Sequence, residues 1–100
     1  MEAQKFHSMY FNLEGKDMTD TYENMHDQYP NVICLFRCGN FYELYRDDAE
    51  KVSNILNITL TQRDVNGTSI YMAGFPFHAL DTYLPKIVRA GLRVALIDGE

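Results

Sequence analysis

Apolar positions recur along the chain with two different periods, and the places where the period changes mark out its elements. Met18, Tyr22, Met25 and Tyr29 fall on one face at helical spacing, with Asp17, Thr19 and Asp20 as candidate caps and Pro30 as the stop, so one amphipathic helix is expected over this stretch. Asn31 to Phe36 is a continuous β-rich run, as in a strand buried on both faces, and Gly39-Asn40 after it is a turn signal from which Phe41 to Tyr45 folds back. Arg46-Asp47-Asp48 opens a second helix with Ala49, Val52, Ile55 and Leu56 inward, and the aspartates are accounted for by the positive helix N-terminus.

Ile58 to Arg63 alternates as a half-exposed strand, Asp64 to Ser69 is a polar turn containing Asn66-Gly67, and Ile70 to Ala73 completes a hairpin. Gly74 and Pro76 then set the path into a third helix. That helix has an apolar side of Leu80, Tyr83, Leu84, Ile87 and Val88, a kink at Pro85 and its end at Gly91, before a last strand from Leu92 to Ile97. Residues 1–16 have no clean period and are left as an unassigned lead-in, partly ordered at most; 17–100 form the domain. The order of elements predicts an α/β fold of α+β character, with a single mixed sheet of about five strands and about three helices packed on it.

Composition agrees with one compact domain: 46% of the residues are hydrophobic and 13% aromatic, enough to fill a core. No apolar run reaches the roughly 20 residues of a membrane-spanning helix, and Met1 to Tyr10 lacks a signal peptide's apolar stretch, so no membrane is expected and the cytoplasm is the default location. Cys34 and Cys38 have neither disulfide-framework nor Cys-x-x-Cys spacing, and His7, His26 and His78 stand far apart, so no metal site is expected. The net charge of −5 disfavours tight independent binding to duplex DNA, which depends on displacing counterions from phosphates.

Three segments in order share their residues with one family. Leu35-Phe36-Arg37-Cys38-Gly39-Asn40-Phe41-Tyr42-Glu43-Leu44-Tyr45 is similar to a segment of the MutS DNA repair family that reads Gly-Asp-Phe-Tyr-Glu-Leu-Phe. Ile58-Thr59-Leu60-Thr61-Gln62-Arg63 resembles the strand that follows it. Met72-Ala73-Gly74-Phe75-Pro76-Phe77-His78-Ala79 resembles the family's Met-Ala-Gly-Ile-Pro-Tyr-His-Ala. The resemblance runs from about Met18 to the C-terminus, and three spaced blocks are far more specific than an isolated Phe-x-Glu. It departs at Asn40, where the family has aspartate, and at Cys38, where methionine is common; both could re-aim the ring of Phe41.

The resemblance implies the N-terminal mismatch-recognition domain, with double-stranded DNA carrying a mismatch or an unpaired base as partner. Phe41 would then stack on the mispaired base and Glu43 hydrogen-bond to it. A mismatched step is already poorly stacked, so wedging a ring into it costs less than the few kcal/mol of opening an intact step. Beside phosphates, Glu43 makes sense only if it accepts a base N–H or is itself protonated and donates to a base nitrogen. Read without the flanking blocks, Phe41 and Glu43 are an ordinary alternating strand with an aromatic in the core and an acid in water. Tyr42, on the opposite face, together with Tyr45 and Phe75, reads as packing, and His78 as a capping or packing residue. Arg63 and Arg37 are the nearby cations best placed by sequence to meet phosphates, with Arg46 and Lys51 behind them.

No Gly-x-x-x-x-Gly-Lys-Ser/Thr loop is present, since Gly15-Lys16 lacks its partner glycine at Tyr10, so the family's ATP and Mg site is absent and no cofactor or enzymatic activity is expected. The close of the sequence as a strand finishes suggests a longer parent whose remaining domains are partners, and a strand left unpaired there could self-associate into a homodimer. Two other classes fit less well. One is an interaction or scaffolding module that kept the fold without DNA binding, suggested by the acidic charge. The other is a metal-dependent nuclease built on Glu43, Asp47, Asp48 and Glu50, for which no base is placed by spacing.

Overall fold

The computed structural model describes residues 8–12, 18–29, 31–65 and 67–98; the rest of the lead-in, the cap at Asp17 and the stop at Pro30 lie outside the described residues. The order is β1 (Ser8–Asn12), α1 (Met18–Gln28), β2 (Val32–Cys38), β3 (Phe41–Tyr45), α2 (Arg46–Leu56), β4 (Thr61–Val65), β5 (Thr68–Pro76), a short 3-10 turn (Phe77–Ala79), α3 (Leu80–Arg89) and β6 (Arg93–Asp98). One mixed sheet results, in the order β1-β6-β2-β3-β5-β4, with β1, β6 and β2 parallel and β3, β5 and β4 joined by antiparallel pairing.

The expected strands and helices are all present, and β1 adds a strand beyond the five anticipated, from a stretch without period. The last strand does not finish as an open edge: β6 pairs with β1 through Ser8↔Val94 and with β2 through Ile33↔Val94. Among the described residues the edges are therefore β1 and β4, and the self-association expected at β6 has no free edge there.

Strand alternation divides the core in two. Ile33, Leu35, Tyr42, Leu44, Ala73, Phe75 and Val94 face α2 and α3, which contribute Ala49, Val52, Leu56 and Ile87. Val32, Cys34, Phe36, Tyr45, Ala95 and Ile97 face the other way, where α1 supplies Tyr22 and Met25. Two helices thus cover one face and a single helix only part of the other, so part of β3 is left facing solvent on the α1 side.

Two local expectations are corrected. The strand expected from Ile58 begins at Thr61, because Asn57 ends α2 in the left-handed region (φ 61°) and Ile58 N–H still bonds to Ser53 C=O at 3.1 Å. The residues that follow descend to the sheet before pairing starts. The strand expected to stop at Ala73 runs to Pro76, since Tyr42↔Phe75 and Phe41↔Pro76 extend its ladder with β3; Gly74 and Pro76 therefore belong to the sheet and not to the entry of the helix. The third helix, α3, is one helix from Leu80 to Arg89 that includes Pro85.

Candidate nucleic-acid interface

Cys38 and Phe41 are paired across Gly39-Asn40, giving a two-residue hairpin with Gly39 in the left-handed region (φ 62°), which glycine adopts without steric penalty. Phe41 is thereby the first residue of β3, at the tip of the hairpin. The alternation buries Tyr42 and Leu44 beneath α2 and α3 and turns Phe41, Glu43 and Tyr45 to the α1 side. As α1 covers only the Tyr45 end, Phe41 is left 48% exposed, the most exposed of the large apolar side chains among the described residues.

Glu43 stands opposite Phe36 on one neighbouring strand and Gly74 on the other. Its side chain is 15% exposed. The Tyr45 hydroxyl donates to Glu43 Oε1, while Arg63 Nη2 lies 3.5 Å from Oε2. Arg63 Nη1 also donates to the Tyr45 oxygen at 3.5 Å, with the guanidinium 5.7 Å from that ring's centre. Burial first, and then the Glu43 carboxylate, push the Cys38 thiol up to about 11, so beside the hairpin tip it is a neutral group at ordinary pH.

Gly74 is required by contact: a Cβ there would lie 2.9 Å from the Tyr42 carbonyl oxygen. Gly74→Ala is expected to lower stability by about 1–3 kcal/mol, read as an earlier midpoint in urea, because two backbones must part where Glu43 is held.

The two arginines singled out from the sequence lie on opposite faces. Arg63 pairs with Ile70 on the α1 side and reaches Glu43. Arg37 pairs with Tyr42, so it points to the α2 and α3 side, where its Nε donates to Gly39 C=O at 2.8 Å and its guanidinium sits 3.9 Å from the centre of the exposed Phe77 ring. It braces the hairpin tip from behind.

Among the acids, Asp48 is not simply a helix-dipole residue. It is 1% exposed, and Oδ2 accepts from Cys34 N–H at 2.9 Å and meets His26 Nε2 at 3.0 Å. β3 pairs with β2 only through Phe36 to Cys38, so the Cys34 N–H lies beyond that ladder and the carboxylate supplies its partner. The fold brings His26, Cys34 and Asp48 within 4.8 Å, a proximity that spacings along the chain could not reveal. It is the only group of three or more metal-type ligands among the described residues, so Glu43, Asp47 and Glu50 do not converge with Asp48 on a cation. Asp47 and Glu50 instead line a groove with Tyr22, Glu23, Arg46 and Tyr71. No helix among the described residues is long and apolar enough to cross a membrane.

Comparison with known proteins agrees with this geometry. The family described as MutS domain I matches residues 16–100. The chain is 64% identical over 73 residues to the DNA mismatch repair protein MutS of Phocaeicola vulgatus, covering 71% of this chain and 8% of that protein. It is 60% identical over 72 residues to the protein of the same name from Bacteroides thetaiotaomicron, with the same two coverages. It is 53% identical over 79 residues to that of Cytophaga hutchinsonii, covering 77% of this chain and 9% of the relative. It thus spans less than a tenth of the length of these curated relatives, and on the match over residues 16–100 the chain belongs to the MutS domain I family.

Proposed function

We propose that this chain is a non-enzymatic DNA-sensing module of mismatch repair, acting in the cytoplasm on double-stranded DNA with a mispaired or unpaired base. The observation that carries the reading is the placement of Phe41, 48% exposed at the hairpin tip, on the same face as the recessed carboxylate of Glu43. A flat apolar ring held out in this way can enter a weakened base step, and a carboxylate set behind it can bond to the displaced base. Phe41 would read deformability and not sequence. The relatives' name, DNA mismatch repair protein MutS, supports the reading.

A net charge of −5 makes this module a probe that discriminates and not a clamp that holds, so the clamping surface and the ATP and Mg site would belong to further domains of a longer protein and to a dimer partner. Arg63 would meet the DNA beside Glu43, and Arg37 would act on the tip from behind.

The test is a titration of the chain and of Phe41→Ala against a fluorescent duplex carrying a G·T mismatch or one unpaired base, and against its perfect match, at low and moderate salt. The wild type is expected to prefer the defective duplex, and Phe41→Ala to lose that preference by about 10-fold or more, as for the removal of a base-stacking ring. Equal binding of the defective duplex by mutant and wild type would overturn the reading. Retention of protein partners and never DNA would favour the scaffolding alternative, which the acidic charge suggests.

A further inference from the structure

We propose that His26, Cys34 and Asp48 form a binding site for zinc or a divalent cation of similar softness, which clips α1 to the sheet and to α2. The site is independent of the reading of Phe41 and Glu43.

Three elements distant along the chain each send one donor to the same place. His26 is in the last turn of α1, Cys34 in β2 and Asp48 in the first turn of α2. Their nitrogen, sulfur and carboxylate oxygen lie within 4.8 Å of one another, and His26 Nε2 is 3.0 Å from Asp48 Oδ2. Tetrahedral zinc with bonds of about 2.0–2.3 Å sets such donors about 3.4–3.6 Å apart, so each side chain would move by about 1 Å or less.

The surroundings prepare these groups as ligands. The Cys34 N–H donates to Asp48 Oδ2 at 2.9 Å and orients the carboxylate, as outer partners of metal ligands do. Tyr22 stacks on the His26 ring at 4.3 Å and holds Nε2 toward Asp48. The Cys34 sulfur is fully buried beside that pair and has no hydrogen-bond partner among the described residues. The His26 side chain is 29% exposed, so an ion has a path from solvent there and water can complete its coordination.

Charge and donor type point to the class of ion. Asp48 is a carboxylate kept almost wholly from water, which is costly unless its charge is matched. A dication held by this carboxylate, a Cys34 thiolate and a neutral His26 makes a set with no net charge. Burial, and then the charge of Asp48, pushes the Cys34 thiol up to about 12, so it keeps its proton in the metal-free chain. On binding, that proton leaves to solvent and the sulfur electron pair forms the bond to the ion. One nitrogen, one sulfur and one oxygen suit zinc, whereas magnesium and calcium gather mainly oxygens.

The experiment titrates the reduced chain, stripped of metal by a chelator, with cobalt(II) as a coloured substitute, with zinc and with magnesium. The wild type should bind one cobalt, with thiolate-to-metal charge-transfer absorption and the strong visible bands of four-coordination. Zinc should displace the cobalt and, at about 100 times its Kd, raise Tm by about 10 °C or more. Magnesium should do neither. The chain has two cysteines, so the charge-transfer band identifies its source: Cys34→Ala should abolish it and Cys38→Ala should keep it. His26→Gln and Asp48→Asn should each weaken cobalt binding by at least about 10- to 100-fold, the loss that removal of even an outer partner brings. Metal-free melting of each variant checks that it folds. A band that survives in Cys34→Ala or vanishes in Cys38→Ala would overturn the proposal, and so would several weak cobalt equivalents with no such band. Should Cys34→Ala not fold, the partly exposed His26 decides: unchanged cobalt affinity in His26→Gln overturns the site equally.

Discussion

Phe36→Ala is expected to destabilise the chain by about 3–5 kcal/mol, the range for deleting a buried aromatic side chain. Phe36 is fully buried in the middle of β2, with β6 on one side through Phe36↔Ile97 and β3 on the other through Phe36↔Glu43. Its ring is also the surface on which Tyr45 rests. A domain of this size has about 5–15 kcal/mol of stability in all, so the loss is a large share of the total. Urea denaturation should show a much lower midpoint with the slope kept, and thermal melting a fall of about 4–8 °C for each kcal/mol. The substitution acts on the side of the sheet that carries the probe. A variant that still folds should also have a more mobile Tyr45, whereas Leu44→Ala, equally buried but facing α2 and α3, should destabilise without that effect. Equal loss of Tyr45 order in the two variants would contradict the division of the core into two independent faces.

That division was legible in the sequence where neighbours along the chain determine it. The Gly39-Asn40 turn and the alternation after it place the whole of β3, with Tyr42 as packing and Phe41 as the exposed ring. The same alternation could have separated the arginines: with Cys38 opposite Phe41 across a two-residue turn, Arg37 must share the face of Tyr42. The features missed depend on contacts distant in sequence. β1 has no pattern of its own and is a strand because β6 offers it a parallel ladder. Tyr45 and Arg63 are 18 residues apart and approach only because β4 and β5 fold beside β3. Asp48 shows the limit most clearly, since an acid in the first turn of a helix has a sufficient local explanation and nothing nearby announces that it is buried.

Asp48→Ala is expected to cost about 2–4 kcal/mol, because it removes the partner of a buried backbone N–H and leaves a small void. Asp48→Asn should cost less, since its amide oxygen can still accept from Cys34 N–H, and its own loss relative to the wild type is the part that depends on charge. The His26–Asp48 pair also has a pH signature. The hydrogen bond to Asp48 raises His26 above its ordinary 6.5, against the opposing effect of burial. Lys51 and Asp47 are the other charges that reach it, and Tyr22 stacks on the ring at 4.3 Å. A histidine raised in the folded state binds its proton more tightly there than in the unfolded chain. Its contribution is complete below the ordinary value and disappears as pH climbs through the raised one. Asp48 is itself raised, chiefly by burial, with His26 and the Cys34 N–H pulling it back; its contribution likewise declines as pH rises through its folded value. The wild type should therefore lose stability in urea on going from mildly acidic to mildly alkaline pH, and His26→Gln should flatten the upper part of that decline. An unchanged slope in His26→Gln would mean that the imidazole stays neutral and binds Asp48 only as an uncharged donor.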